Sequence, residues 1–287
     1  MPKVAIITDT NAGIKPNETN EIIIVPMPFM INDEEFFEYK NLTTTDFYEA
    51  LKQDKKISTS QPSPADVMEI WETALKTHDE IVYIPMSSGL SKSYETAVML
   101  SAEYNGKVQV VDAKMISVTQ KQVCFDALNF AKNGKSAKEI KMILENNNKN
   151  ASIYIMVDTL KYLKRGGRIT PVVAALGSLL KIKPILQIQG DKLDSYAKVL
   201  NISQAKQRMI QAAKRDIETR FLDAYGKGNL VVSVAHTNNI EKAKEFAEEI
   251  KNEIPNIEIK YIDELSLSVS CHIGPSSLAI ALVEKNV

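Results

Sequence analysis

Three short apolar runs, each ending in an acidic or hydroxyl-rich turn, constrain this chain more than any other feature. Residues 4–8 lead into Asp9-Thr10-Asn11-Ala12-Gly13. Residues 80–84 lead through Pro85-Met86 into Ser87-Ser88-Gly89-Leu90-Ser91-Lys92-Ser93. Residues 107–112 end on Asp112. The first two, without polar alternation, read as strands buried on both faces, and 107–112 reads as a further strand. Helical patterns lie between the runs, so the expected unit is a parallel sheet with helices on both sides. In such a sheet the turns at the carboxyl ends of the strands are where ligands bind.

The Ser87–Ser93 turn precedes a helix expected over 94–102. Its hydroxyls and free N–H groups suit a small anion such as a carboxylate. Ser91 can equally be a helix cap. Asp9 either orders these turns or closes an Asx-turn on its own backbone. A second hydroxyl-rich stretch is Ile57-Ser58-Thr59-Ser60-Gln61-Pro62-Ser63-Pro64. Ser63 reads as the cap of a helix to residue 74, with Pro64 at its first position. Capping leaves Ser58, Thr59 and Ser60 unexplained, so they are candidates to face the Ser87–Ser91 turn across one pocket.

Elsewhere Thr43/Asp46, Ser117/Gln120 and Ser136/Glu139 have capping-box spacing and open three helices. An apolar run at 22–29 holds two prolines, which suit an edge strand, and 34–39 can pair as a hairpin arm. A strand at 152–157 is expected to continue the parallel sheet. Gly166-Gly167-Arg168 then breaks the pattern, without the lysine and strand context of a phosphate loop. A nearly all-apolar helix over 172–180 reads as buried or as a cavity wall. The runs around Gly190-Asp191 alternate and predict a β-hairpin. Beyond it come a helix over 203–222, a strand over 230–235, a helix over 241–250 started by Asn238, and strands over 257–262 and 277–283. The fold expected is α/β with two domains: an N-terminal parallel sheet flanked by helices over 1–166, and a C-terminal α+β domain over 167–287. A third polar cluster, Ser268-Val269-Ser270-Cys271-His272-Ile273-Gly274-Pro275-Ser276, precedes the last strand. His272 can donate to an anionic headgroup or fix the turn.

Net charge of −1 over 287 residues excludes a polyanion-binding profile, so no nucleic-acid partner is expected. Two cysteines, Cys124 and Cys271, without a CxxC spacing argue against a disulfide framework or a zinc–thiolate site. No apolar run is long enough to span a bilayer, and the first residues lack a signal-peptide layout. A cytoplasmic location is the resulting expectation, open to transient membrane contact.

Six stretches, taken together, resemble the DegV family of bacterial fatty-acid-binding proteins. They are Ile6-Ile7-Thr8-Asp9-Thr10, Thr59-Ser60-Gln61-Pro62-Ser63, Ser87-Ser88-Gly89-Leu90-Ser91, Leu163-Lys164-Arg165-Gly166-Gly167-Arg168-Ile169, Leu179-Leu180-Lys181-Ile182-Lys183-Pro184-Ile185, and His272-Ile273-Gly274-Pro275. The resemblance implies one long-chain fatty acid, of the palmitate or oleate type, held in an apolar tunnel between two domains. It implies that Thr59 and Ser91 bind the carboxylate, with His272 close by. Ser60 and Lys92, beside them, join the set of ligand-binding candidates. It implies a carrier without catalytic residues, metal or cofactor, which presents the acid to a separate ATP-dependent fatty acid kinase for acyl-phosphate formation.

Four positions depart from the family pattern. Lys92 stands where Gly is frequent and adds a charge beside the headgroup. Val199-Leu200-Asn201-Ile202-Ser203-Gln204 lacks an Arg, and Cys271 and Ser276 replace the usual Thr and Gly. The competing expectation is a serine-dependent lipid or ester hydrolase, with Ser91 or Ser88 as nucleophile and His272 as base. The absence of a Gly-x-Ser-x-Gly elbow argues against it.

Overall fold

A computed structural model describes residues 2–168, 171–174, 182–190 and 192–286. The first sheet is wholly parallel, in the order β2-β1-β6-β7: β1 Val4–Asp9, β2 Ile22–Val25, β6 Glu80–Ile84 and β7 Val108–Val110. Every residue of β1 is buried, as expected for a strand covered on both faces. Alternate side chains point to opposite sides. Val4 and Ile6 pack with Val123 and Ala127 of α4 (Val118–Lys132) and Ile140 of α5 (Ala137–Asn146). Ala5 and Ile7 pack with Trp71 of α2 (Pro64–Leu75) and Ala97 of α3 (Ser93–Ser101).

The strand expected at 152–157 does not extend this sheet. It is β8, Ala151–Met156, and it lies inside a second, six-stranded mixed sheet in the order β10-β9-β8-β13-β11-β12. The other members are β9 Lys183–Ile188, β10 Leu193–Val199, β11 Leu230–His236, β12 Ile259–Glu264 and β13 Leu278–Glu284. Only β11 and β12 run parallel; β8 is antiparallel to both β13 and β9. The chain therefore leaves the first sheet before β8, ahead of the expected division at Gly166–Gly167. A buried apolar run carries no signal of which sheet receives it, and β8 finds its partners in strands far along the chain. The hairpin β9–β10 forms as expected. Of the expected apolar helix at 172–180, only Pro171–Ala174 lies within the described residues.

The face of the second sheet built from Val232, Val234, Ile280 and Leu282 packs on α8 (Ile202–Thr219) and α10 (Ile240–Glu253). A small antiparallel sheet, β4-β3-β5, joins β3 Pro28–Ile31, β4 Glu34–Phe37 and β5 Ile57–Thr59. With α1 (Thr44–Lys52) it forms a cap docked on α11 (Leu267–Ile273) through Phe29, Phe47, Tyr48, Leu267 and Cys271.

Three expected caps form: Thr43, Ser63 and Ser136 each accept from the N–H three residues on. The Ser117/Gln120 box does not. Ser117 sits at φ 58° without a side-chain cap bond. Gln120 turns inward, where its Nε2 donates to Thr8 Oγ1 at 3.0 Å and to the Ile84 carbonyl at 3.1 Å. Asn238 does not cap α10 either; Asn239 holds that position, with no side-chain bond.

Glu38 ties the cap to α11. The residue is 6 % exposed, and its carboxylate accepts from the Leu267 N–H at 3.0 Å. Burial, offset by that hydrogen bond and by Tyr39, and reinforced by the Glu264 charge, pushes its pKa up to about 7. The folded chain thus holds this proton more tightly than the unfolded chain, whose carboxyl titrates near 4.5. The stability this group contributes is full at low pH and is lost as pH rises to about 7. Glu38→Gln keeps an acceptor for Leu267 and removes the titration. Its melting temperature is expected to match that of the wild type at acid pH. At pH 8 it should exceed it, by the equivalent of about 1–3 kcal/mol. Parallel melting curves across that range would disprove the assignment.

Candidate functional site

The carboxyl end of β1 organises the strand-end turns. Asp9 does both things its position suggested. Its Oδ1 accepts from the Asn11 N–H at 2.9 Å, closing the Asx-turn. Its Oδ2 accepts from the Met86 N–H at 2.8 Å, fixing the turn after β6. That turn is further held by Asp112, whose Oδ2 accepts from Ser88 Oγ at 2.7 Å. Ser91 lies just before α3. Its Oγ lies 2.7 Å from Ser93 Oγ and accepts from the Ser93 N–H at 3.2 Å. Lys92, not Ser91, holds the cap position.

The three polar stretches converge on one cavity. It encloses about 990 Å³ of empty space, counted together with the open solvent at its mouth. Thr59, Ser60, Ser91 and His272 all line it. Thr59, on β5 of the cap, meets His272, on α11, with Oγ1 and Nε2 2.9 Å apart. Burial first, and then the Arg168 charge, lowers the His272 pKa to about 4. The imidazole is therefore neutral at physiological pH. Its Nδ1 is buried without a hydrogen-bond partner among the described residues. It lies against Gly166, where any Cβ would come closer than 3.0 Å. That contact accounts for a glycine at 166, whose own backbone is right-handed helical.

Lys92 is not brought to the cavity. Its side chain is 84 % exposed and pairs with Glu95 at 3.1 Å, one helical turn along α3. A cation at the start of a helix finds a carboxylate at i+3 on the outer face, and that local partner competes with the cavity for Lys92. Five polar residues that the site-residue expectations did not include do line the cavity: Asn11, Gln61, Ser117, Arg168 and Ser268. Gln61 is held by Thr96 Oγ1, which donates to its Oε1 at 3.2 Å. Arg168 donates to the Gly166 carbonyl at 2.8 Å and is the one cation in the lining among the described residues. Asn11 Oδ1 accepts from Ser266 Oγ at 3.2 Å and also from Ser268 Oγ, so it links β1 to α11. Gln61 and Arg168 sit inside the very motifs that carried the resemblance, which was the one signal available for them.

The rest of the wall is apolar. Met86, Leu90, Val118, Leu163, Ile188 and Ile273 are representative. The lining offers neutral hydroxyls, two amides, a neutral imidazole and a single guanidinium, with hydrocarbon elsewhere. The serine–histidine pair that a hydrolase requires is not formed among the described residues. Ser91 bonds Ser93, Ser88 bonds Asp112, and His272 bonds Thr59.

Comparison with known proteins is consistent along the whole chain. The sequence matches, over residues 3–285, a family described as uncharacterised protein, DegV family. It is 30 % identical to a DegV domain-containing protein of Clostridium acetobutylicum, covering 99 % of both chains. It is similar to the crystal structure of DegV, a fatty-acid-binding protein from Bacillus subtilis, with a TM-score of 0.85 and 28 % identity, covering 99 % of this chain and 100 % of that one. A fatty-acid-binding DegV family protein from Thermus thermophilus superposes with a TM-score of 0.89 at 21 % identity, covering 98 % of this chain and 99 % of that one.

Proposed function

This chain belongs to the DegV family, and from that premise we propose that its cavity binds one long-chain fatty acid of the palmitate or oleate type. The observation that carries the reading is the Thr59–His272 pair at the polar region of an otherwise hydrocarbon-lined cavity. An acyl chain moved from water into such a wall gains about 0.8 kcal/mol per methylene. A buried carboxylate is costly unless hydrogen bonds replace its water. With its proton on Nε2, His272 donates to Thr59 Oγ1, and the Thr59 hydroxyl proton is free for a carboxylate oxygen. Ser91, Ser60 and Gln61 supply further donors around it, and Arg168 supplies charge. The serines at the helix start and the Thr on the cap belong to different elements, so the headgroup bridges them.

In this reading the protein is a carrier that works in the cytoplasm and hands its acid to a separate ATP-dependent kinase. The carboxylate oxygen attacks the γ-phosphorus of ATP, ADP leaves, and an acyl phosphate results. Among the described residues no helix is long and apolar enough to cross a membrane.

The test is native mass spectrometry of the purified chain with lipid analysis of what it releases, followed by titration with palmitate and oleate. One acid per chain is expected. Failure to bind either acid would overturn the reading. Thr59→Val removes the hydroxyl at constant shape, and Ser91→Ala removes the second donor. Each is expected to weaken binding about tenfold or more, the worth of a hydrogen bond to a charged group. Retention should be insensitive to pH above about 6, because His272 is already neutral there.

A further inference from the structure

Two adjacent interior strands of the second sheet, β11 and β13, are asymmetric in a way that packing against helices does not require. Toward α8 and α10, β11 and β13 present Val232, Val234, Ile280 and Leu282. On the opposite face the same strands carry Ser233, Ala235, Ala279 and Ala281 at one end, with the Val231–Val283 pair beyond them. The register sets Ala235 opposite Ala279 and Ser233 opposite Ala281, so the small residues form one block. Its outer neighbours on β8 are large: Ile155 is paired with Ala279 and Ile153 with Ala281. Ala235, Ala279 and Ala281 all line the cavity. Large residues would be the ordinary choice for a central strand; small ones here leave a trough in the sheet.

Beyond the trough, the cavity floor continues sideways over larger residues. Ile153 pairs with Ile188 on β9, and Ile188 with Leu193 on β10, and all three line the same cavity. From β11 to β10 the floor crosses four inter-strand steps, about 19 Å in all. An extended hydrocarbon advances about 1.25 Å per carbon, from the geometry of a single C–C bond. The floor is therefore about as wide as a chain of fifteen carbons is long.

We propose that Ala235, Ala279 and Ala281 are the floor on which the acyl chain lies across the strands, continued by Ile153 and Ile188, and that Leu193, on the outermost strand of the crossing, closes its far end and sets the longest chain accepted. This rests on the fatty-acid reading above and specifies it. A side chain enlarged on the floor displaces methylenes of the ligand. A side chain cut back at the end wall makes room for more of them.

The experiment is competition. The wild type and three variants, Ala279→Leu, Ala281→Leu and Leu193→Ala, are each incubated with an equimolar mixture of laurate, myristate, palmitate, stearate, arachidate and behenate. The retained acids are then quantified by native mass spectrometry. The wild type is expected to select palmitate and stearate. Each leucine adds three carbons, so the optimum should shorten by about three carbons and palmitate affinity should fall about fiftyfold, at about fourfold per methylene. Leu193→Ala should move the optimum toward arachidate. It creates space rather than filling it, so it tests the end wall even if a leucine variant does not fold. If the wild type retains acids and the folded variants keep its order of preference, this proposal falls and the fatty-acid reading stands. If the wild type retains none, the fatty-acid reading itself falls.

Discussion

Gly166→Ala is expected to dislodge His272 and to reduce retention of a long-chain acid about tenfold or more. The backbone tolerates the change, because Gly166 has φ −79° and ψ −2°, open to any residue. The obstacle is steric. The new Cβ would overlap the imidazole at Nδ1 and Cε1, closer than 3.0 Å to both. Interior packing at crystal-like density leaves no slack for this. The ring must rotate away, and the 2.9 Å link to Thr59 is then broken. Thr59 loses its donor at the point where a carboxylate would be held. Lipid occupancy and melting temperature are the two readings. A companion variant, Gly166→Ala with His272→Ala, removes the clash. It is expected to recover melting temperature but not retention. If Gly166→Ala alone keeps full occupancy, His272 does not position the headgroup site. Gly274 is constrained similarly and more severely, since it combines φ +77° with a Cβ position overlapping Tyr162.

The second large effect lies at Lys121, and it concerns stability. This lysine is 2 % exposed, on α4, between the two sheets. Its ammonium lies 2.7 Å from Glu18 and 2.8 Å from Asp263, and 4.8 Å from the centre of the Tyr261 ring. Glu18 follows β1 and Asp263 belongs to β12, so one buried cation ties the first sheet to the second. Lys121→Ala leaves Glu18 and the more deeply buried Asp263 without their shared cation. Removing one partner of such a group costs about 3–5 kcal/mol. For a chain of this size that is a fall in melting temperature of about 10 °C. Adding Asp263→Ala to Lys121→Ala removes one stranded charge and is expected to restore part of the loss. A single variant that melts with the wild type would show that the buried ions contribute nothing net.

The first sheet was readable because its signals are local. An apolar run, a polar turn and a capped helix recur within a few tens of residues, and hydrophobic periodicity reports exactly such short-range order. The caps at Thr43, Ser63 and Ser136 were readable for the same reason: donor and acceptor are three residues apart. Where the same pattern misled, a distant partner had won. Ser117 and Gln120 have capping spacing, but Gln120 spends its amide on Thr8 and the Ile84 carbonyl, and no local rule anticipates that bond. Lys92 was placed near the headgroup by its neighbour Ser91, while a helix start points adjacent side chains in different directions.

By itself, the sequence determined the α/β class, the parallel pairing of the first sheet, the β9–β10 hairpin, and the presence of three polar stretches. Those follow from periodicity, turn chemistry and caps, all short-range. Only the tertiary structure decided that β8 joins the second sheet, that Thr59 reaches His272 across 213 positions, and that Arg168 and Gln61 line the cavity while Lys92 does not. It alone placed Ala235 opposite Ala279 and aimed that face at the cavity. The physical reason is common to all of these. Strand partners, and the side of a sheet that a side chain faces, are set by packing between segments far apart in the chain, where a shift of one residue would exchange the two faces.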